Sequence, residues 1–188
     1  MLERVLNLFH RVPIADSSPG FSGPKVEDWA GQVLDVAASN ASLSDREVAA
    51  SIECDLTPKQ CSTHVASIRA WGSIAEAARR VAGYTPSARQ LEASAMLARG
   101  ETTFTETAED IGLVVGMAAA AAWSAGITSQ LLVESNERAD NLFNALSPLW
   151  TLLDIPHVGL RSDPLPDARH AVLVATPVHV IERLAGKW

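Results

Sequence analysis

Residues Thr102–Gly126 read TTFTETAEDIGLVVGMAAAAAWSAG and contain the pattern around which the other predicted elements are arranged. Its first residues, Thr102–Thr105, are β-branched or aromatic and predict a short strand. A tight polar loop then leads into a long alanine-rich helix, predicted over Asp110–Ala125. Strand, loop and helix in this order are typical of phosphate sites in α/β proteins, because the loop and the helix N-terminus direct backbone N–H groups at an anion.

The end of this loop, Ala108–Gly112, has the wrong side chains for a phosphate. A working phosphate loop offers small residues and a lysine. This segment offers the carboxylates of Glu109 and Asp110 and the aliphatic side chain of Ile111. The sequence therefore has the order of elements of a nucleotide site without the side chains that bind a nucleotide.

A membrane span is the alternative interpretation of the helix in this stretch. No residue from Ile111 to Val133 is charged, and the run is long enough to cross a bilayer. It is mostly alanine and glycine, however, contains Ser124 and Gln130, and is divided by Gly126. We therefore predict a buried helix followed by a buried strand.

Strand and helix patterns alternate through the rest of the chain. Strands are predicted over Gln130–Val133, Val158–Leu160 and His170–Ala175, and helices over Asn136–Leu153 and from Pro177. Short connections between alternating elements predict a parallel sheet with helices on its faces.

The chain before this stretch has a helical pattern. The first predicted helix is Val26–Ser39, where apolar residues recur at helical spacing. Three further starts are marked by an N-cap or by a proline in the first turn, at Ser42, Thr57-Pro58 and Thr85-Pro86. The last two helices end at Gly83 and Gly100, with Gly72 as an alternative break. Four tryptophans at apolar helical positions are predicted core residues: Trp29, Trp71, Trp123 and Trp150.

Composition limits the possible functions. The chain has 188 residues, 47% of them hydrophobic, which fits one globular domain. Its net charge of −7 and pI of about 5.2 argue against a general nucleic-acid or anionic-lipid surface. Cys54 and Cys61 fit no metal-binding spacing and are interpreted as small core residues, which favours the cytosol.

The N-terminal part, residues 1–25, is predicted to be a helix followed by a flexible connector. Met1–Pro13 is amphipathic and lacks the apolar core of a signal peptide. It could lie on a membrane or a partner, although packing on its own domain is favoured. The connector contains the Ser, Pro and Gly cluster Ser17–Pro24. Residues 26–188 are predicted to form a single domain, helical over 26–100 and α/β over 101–188.

The spacing of Gly83, Gln90 and Gly100 before the strand–loop–helix stretch resembles that of the first nucleotide-binding motor domain of SecA, the ATPase of bacterial protein export. Gln90 stands at the glutamine that reads the adenine edge in that family. The family's phosphate loop, Thr followed by Gly-Glu-Gly-Lys-Thr, falls on Thr107 and Ala108–Gly112. The resemblance continues to Leu160 and, more loosely, to Leu184, with Thr176 at the threonine-bearing turn that follows a later strand.

This resemblance implies an α/β fold, a parallel sheet with flanking helices as in a RecA-like or P-loop motor half, preceded by an all-helical N-terminal segment. Gln90, Thr107 and Glu109 are its vestigial nucleotide-binding positions. Ile111 and Gly112 stand where the family has the lysine that neutralises phosphate and the threonine that holds magnesium. Binding of ATP and magnesium is therefore expected to be lost or weak. No cofactor, catalytic residue or metal ligand is predicted.

The function expected from these departures is that of a truncated SecA-like pseudo-ATPase domain, which acts by binding protein as an accessory or regulatory factor in protein export. The expected partner is a SecA-type motor or an export client, not nucleic acid. The expected location is cytoplasmic, with at most peripheral contact at the inner face of the membrane. Two alternatives stay open: one half of a composite ATPase that a second chain completes, and an interaction module unrelated to export.

Each candidate residue also has a structural interpretation. Gln90 can be a capping residue, and Glu109 with its neighbouring aspartate can be first-turn acids favoured by the helix dipole. His157 beside Asp154 has no nucleophile or metal partner in the sequence and is interpreted as a solvated loop residue, as is His170 beside Asp167.

Overall fold

The structure is a computed structural model that describes residues 26–52, 64–98, 108–159 and 171–184. These residues form seven α-helices, one 3₁₀ turn and three strands. In chain order they are α1 (Val26–Ser39), the 3₁₀ turn (Asn40–Ser42), α2 (Asp45–Ala50), α3 (His64–Ala82), α4 (Ala88–Ala98), α5 (Ala108–Ser124), β1 (Ser129–Leu132), α6 (Asn136–Leu152), β2 (His157–Val158), β3 (Val172–Ala175) and α7 (Pro177–Leu184).

The three strands form a parallel sheet in the order β1-β3-β2. β1 pairs with β3 from Ser129 opposite Val172 to Leu132 opposite Ala175, and β2 pairs with β3 at its start. The predicted parallel sheet with flanking helices, preceded by a helical segment, is confirmed. The strand predicted at Thr102–Thr105 lies outside the described residues.

Helices α5 and α6 pack side by side and both contact β3. Val172 and Val174 of β3 join Met117, Leu149 and Trp150 of these helices in one buried cluster. Helix α3 packs against α5 and α6, and α1 packs against α3. The core therefore lies between the sheet and the helices that precede it in sequence.

Small residues bring α5 and α6 close together. A Cβ at Gly116 would lie 2.7 Å from Cδ2 of Leu146 on α6. The indole Nε1–H of Trp150 donates a hydrogen bond to the carbonyl oxygen of Gly116 at 3.2 Å. The alanine-rich segment is thus the buried helix that the sequence predicts. No helix in the described ranges is long and apolar enough to cross a bilayer.

The predicted tryptophan core is largely confirmed. Trp71 and Trp150 are buried, and Trp29 is half-buried with its ring edge-on to Trp71 at 5.7 Å between centroids. Trp123 is half-buried and packs against the same core.

Helix α3 carries a buried carboxylate, Glu76, whose side chain is 1% exposed. Its two oxygens accept bonds from Nε and Nη2 of Arg79 at 2.7 and 2.8 Å, and from Nε of Arg80 at 2.8 Å. Arg80 also donates to the carbonyl oxygen of Leu43 at 2.7 Å and to the carboxylate of Asp45 at 2.5 Å. The cluster therefore ties α3 to the turn that precedes α2.

Several helix boundaries differ from the prediction because the capping residue is a different one. Ser42 ends the 3₁₀ turn, and Ser44 caps α2 in a reciprocal capping box with Glu47. Helix α4 begins at Ala88 and not at Thr85-Pro86. Gly83 ends α3 with a φ of +78°, as predicted. The starts and ends predicted at Thr57-Pro58 and Gly100, and both cysteines, lie outside the described residues.

The strands are confirmed with small shifts, and helix α6 ends at Leu152, one residue early. β1 begins one residue before the predicted Gln130, and β3 begins at Val172. β2 is only His157–Val158: it begins one residue before the predicted Val158, Gly159 does not belong to it, and Leu160 lies outside the described residues. Helix α7 begins at the predicted Pro177.

The alternative break at Gly72 does not occur: α3 is continuous through this residue and runs up to Gly83, as the sequence predicts. Gly72 instead allows α3 to approach α1. A Cβ at this position would lie 2.3 Å from Cγ1 and 2.6 Å from Cβ of Val36. Val36 is β-branched and has little rotamer freedom in a helix, so it cannot move aside easily.

We expect Gly72→Ala to lower the free energy of unfolding by about 1–3 kcal/mol, the usual cost of overpacking. This loss outweighs the gain of up to about 1 kcal/mol that alanine brings to a helix interior. Gly112→Ala is the matched control, since no heavy atom lies within 4 Å of the point that a Cβ would occupy there on α5. The control is expected to raise stability by about 0.5–1 kcal/mol. Urea unfolding measures both, and a gain for both variants would contradict the close helix packing.

Candidate functional site

The carboxyl ends of β1 and β3 lie together at one edge of the sheet, which we call the carboxyl edge. The N–H of Val133 donates to the carbonyl oxygen of Ala175 at 3.0 Å and holds the two strand ends side by side. Helix α6 begins just after β1, with Ser135 as its N-cap, and α7 begins at Pro177 just after β3. In α/β proteins, ligands bind outside this edge.

The first turn of α5 lies at the same edge. Only four residues, 125–128, separate the end of α5 from β1, and α5 packs against β1 and β3. Helix α5 therefore runs antiparallel to β1, and its N-terminus reaches the carboxyl edge. This is the place where a phosphate site of the predicted type would lie.

The loop placed at Ala108–Gly112 is helical in the structure: α5 begins at Ala108, two residues before the predicted helix start at Asp110, and ends at Ser124, one residue before the predicted end. A phosphate loop wraps an anion with non-helical backbone, whereas here only the N–H groups of the first four helical residues have no partner within the helix. The sequence explains the difference. Alanine is the strongest helix former, and acids in a first turn are favoured by the helix dipole, whereas glycines would keep this segment out of a helix.

The two residues predicted to stand at the lysine and threonine positions of a phosphate loop cannot bind a phosphate or a magnesium ion. Ile111 is 46% exposed and presents an aliphatic surface. Gly112 lies in open space, with no heavy atom within 4 Å of where a Cβ would stand. Neither a cation nor a hydroxyl is available at these positions.

Gln90 forms a capping box with Ser87 at the start of α4. The N–H of Ser87 donates to Oε1 of Gln90 at 2.8 Å, and the N–H of Gln90 donates to Oγ of Ser87 at 3.2 Å. Gln90 is 8% exposed. The structural interpretation of Gln90 as a capping residue is thus confirmed. The Ser-x-x-Gln spacing in the sequence is the signal that indicates it.

The structure describes less of Glu109 and Thr107, the other two positions of the predicted nucleotide site. Glu109 belongs to the first turn of α5, as its interpretation as a first-turn acid requires, but its side chain lies outside the described part. Thr107 lies outside the described residues. Helix α4 packs against α5, which places Gln90 and Glu109 on neighbouring helices. Their role in a nucleotide site stays a prediction.

Thr176 directly follows the central strand and is 4% exposed. Its Oγ1 lies 2.7 Å from Nδ1 of His179, three residues further on. This contact joins the end of β3 to the first turn of α7. Sequence reasoning missed the pair, although threonine followed by Pro177 is a common start of a helix.

His157 is packed and is not the solvated loop residue that the sequence predicts. Its Nδ1 lies 2.8 Å from the carbonyl oxygen of Ile155, and its ring is 5.6 Å from the rings of both Phe143 and Trp150. The neighbouring Asp154 is exposed, as predicted, and lines a shallow depression of about 330 Å³ together with His157. His170 and Asp167 lie outside the described residues. Across the described ranges, no group of three metal-ligating side chains is present.

Exposed large apolar side chains concentrate at the carboxyl edge. Six such residues occur in the described part: Tyr84, Ile111, Ile127, Leu132, Val178 and Ile181. Leu132 ends β1, Val178 and Ile181 lie on the helix that follows β3, and Ile111 lies in the first turn of α5; we call these four residues the apolar patch. Leu132 pairs with Ala175, Val178 follows three residues later, and Ile181 lies one helical turn beyond it. Single exposed apolar residues need no explanation, but a group indicates an interaction surface.

The surroundings of the apolar patch are acidic. Glu134 and Glu137 are exposed between β1 and the first turn of α6, and Glu182 lies on α7. Two basic residues occur among these neighbours: Arg138 forms an ion pair with Glu134 at 2.6 Å, and Arg183 follows Glu182 in the sequence of α7. Acidic residues are still in excess, which disfavours a polyphosphate.

Comparison with known proteins adds no relative: no family model matches the chain, and no curated protein matches its sequence.

Proposed function

We propose that the chain is a SecA-like pseudo-ATPase domain that acts by binding a protein at the carboxyl edge, as an accessory factor in protein export. The observation that carries this proposal is Ile111. It is an exposed aliphatic residue in the first turn of α5, at the position where a nucleotide site of this type has its lysine. It belongs to the apolar patch, which is a surface suited to a protein.

The fold of this proposal is a RecA-like motor half, of which the three-stranded parallel sheet and its flanking helices are the described part. The proposed location is the cytoplasm, where a SecA-type motor or an export client would be met.

Two features support protein as the partner. The acidic environment and the net charge of −7 oppose a nucleic acid or an anionic nucleotide. The patch residues are 44–60% exposed, so they can lose solvent when a partner covers them. Burial of apolar surface is the main driving force of protein association.

The test is binding of the full chain to a purified SecA-type motor and to an export client, measured by biolayer interferometry. The variant Val178→Ser/Ile181→Ser is expected to weaken binding at least about tenfold, because two apolar contacts worth about 1 kcal/mol each are lost. Ile127→Ser is the matched control, since Ile127 is 53% exposed but precedes β1 at the opposite edge. The control is expected to bind like the unaltered chain.

Equal binding by Val178→Ser/Ile181→Ser and by the unaltered chain would show that the partner does not bind at the carboxyl edge. If the chain binds no export component but binds another protein through the same patch, the result favours the alternative of an interaction module unrelated to export. The composite ATPase finds less support, because Oε1 of Gln90, which an adenine-reading role needs, already accepts the Ser87 N–H.

A further inference from the structure

We propose that the turn between α6 and β2 binds a divalent transition-metal ion, such as Zn²⁺, through the carboxylate of Asp154 and Nε2 of His157. Both residues line the shallow depression of about 330 Å³. The site goes beyond the proposed function, because it does not lie at the carboxyl edge. His157 pairs with Val172 at the start of β3, so the turn lies at the opposite edge of the sheet.

Asp154 occupies a backbone position that stability alone does not favour. Its φ of +55° lies in the left-handed region, where glycine is the usual residue. The N–H of Ile155 donates to the carbonyl oxygen of Trp150 at 2.8 Å, and that of Asp154 donates to Thr151 at 3.1 Å. These two bonds are those of a common helix end in which glycine is the usual left-handed residue. Glycine would therefore fit this position with less strain than aspartate.

The charge of Asp154 is also unfavourable at this end of a helix. The carboxyl end of α6 carries the negative pole of the helix dipole, which favours cations. The last turn of α6 contains no basic residue, and none of the ion pairs within the described ranges includes the exposed Asp154. Strained residues are concentrated at functional sites. A bound cation is the ligand that would compensate both the carboxylate and the helix dipole.

His157 supplies the second ligand atom. Its Nδ1 lies 2.8 Å from the carbonyl oxygen of Ile155, and because a carbonyl oxygen can only accept, Nδ1 carries the proton. The lone pair of the neutral ring is therefore on Nε2. Metal-binding histidines are typically oriented in this way, by a hydrogen bond from the other ring nitrogen. The rings of Phe143 and Trp150, each 5.6 Å away, restrict the orientation of the imidazole.

The two ligand types select the kind of ion. Imidazole nitrogen suits Zn²⁺, Cu²⁺ and Ni²⁺, whereas Mg²⁺ and Ca²⁺ prefer oxygen ligands alone. No group of three metal-ligating side chains occurs in the part of the chain that the structure describes. Water would therefore fill the other positions of the ion, and we expect micromolar binding, since a closed structural zinc site has four protein ligands. The bound ion would join the end of α6 to the start of β2.

A Zn²⁺ titration of the full chain, followed by ¹⁵N NMR at the imidazole of His157, tests the site. The Nε2 resonance is expected to shift with a micromolar midpoint. Asp154→Asn removes the charge but keeps a residue that tolerates a positive φ, and it is expected to raise the midpoint at least about tenfold. Asp35→Asn is the matched control, because Asp35 is an exposed carboxylate on α1, and no change is expected. No Nε2 shift below millimolar Zn²⁺, or equal midpoints in Asp154→Asn and the unaltered chain, would overturn the site.

Thermal unfolding distinguishes a ligand from a structural role of Asp154. Without metal, Asp154→Gly is expected to raise the Tm by about 2 °C, because glycine adopts this φ without strain. At a free Zn²⁺ concentration of about ten times Kd, the unaltered chain is expected to gain about 3–6 °C, and Asp154→Gly is expected to lose this gain. A lower Tm for Asp154→Gly without metal would show that the aspartate serves stability and would overturn the inference. Since no protein partner is present, failure here leaves the binding test of the proposed function unaffected.

Discussion

Trp150→Ala is expected to lower the free energy of unfolding by about 4 kcal/mol. Among the described residues, Trp150 has the largest fully buried side chain, with 0% exposure, and it lies where α5, α6 and β2 meet. Its removal leaves a cavity beside Gly116 and His157, and it also removes the indole hydrogen bond to the Gly116 carbonyl oxygen. The loss is about a third or more of the stability of an ordinary domain.

Urea unfolding followed by circular dichroism measures this loss. Thr151→Ala is the control, because Thr151 is the next residue on α6, is exposed, and is expected to change stability by less than about 0.5 kcal/mol. A loss below about 1.5 kcal/mol for Trp150→Ala would place this side chain outside a packed core.

Glu76→Ala is expected to cost about 3 kcal/mol, because removal of one partner from a buried ion pair leaves charge uncompensated. The charge left without its partner is that of Arg80, whose side chain is only 17% exposed. The contacts of Arg80 with Asp45 and Leu43 compensate this charge only in part. Glu76→Gln keeps the size of the side chain without its charge and is expected to show a smaller loss. An unchanged stability in Glu76→Ala would show that the cluster does not hold α3 to α2.

The same cluster makes stability depend on pH. Hydrogen bonds from Arg79 lower the pKa of Glu76 below its ordinary value of 4.5; burial opposes this effect, and Arg80 adds to it. A lowered pKa contributes stability that is fully present above the unfolded value and is lost as the pH falls through the folded value. Below about pH 4.5, the unaltered chain is therefore expected to lose stability more steeply than Glu76→Gln. Equal slopes in urea unfolding at several acidic pH values would contradict this role of Glu76.

Much of the fold could be predicted from local patterns. The apolar spacing of Val26–Ser39 gave the bounds of α1, and Gly83 gave the end of α3, because both depend on local geometry. The alternation of short elements predicted the parallel sheet, since βαβ connections have few solutions. The role of Gly72 could not be predicted, because the close approach that it allows is to Val36, a residue on another helix.

The candidate site was harder to predict than the fold. The spacing of the motif places a loop at Ala108–Gly112. The residues at these positions favour a helix, because Ala108 and Asp110 stand where the motif has glycines, and the structure follows this local propensity. Gln90 fits two motifs, and only the geometry reveals the capping box with Ser87. The exposure of Val178 and Ile181 depends on which side of α7 faces the solvent, which the sequence pattern does not fix.

The proposed loss of nucleotide binding is tested by a titration of the full chain with a fluorescent ATP analogue in the presence of magnesium. We predict no saturable binding in the micromolar range. Ile111→Lys/Gly112→Thr supplies the two side chains and is expected to bind no better, because Ala108–Gly112 lies within α5 and does not itself form a loop around the phosphates. Micromolar, magnesium-dependent binding by the unaltered chain would contradict the account.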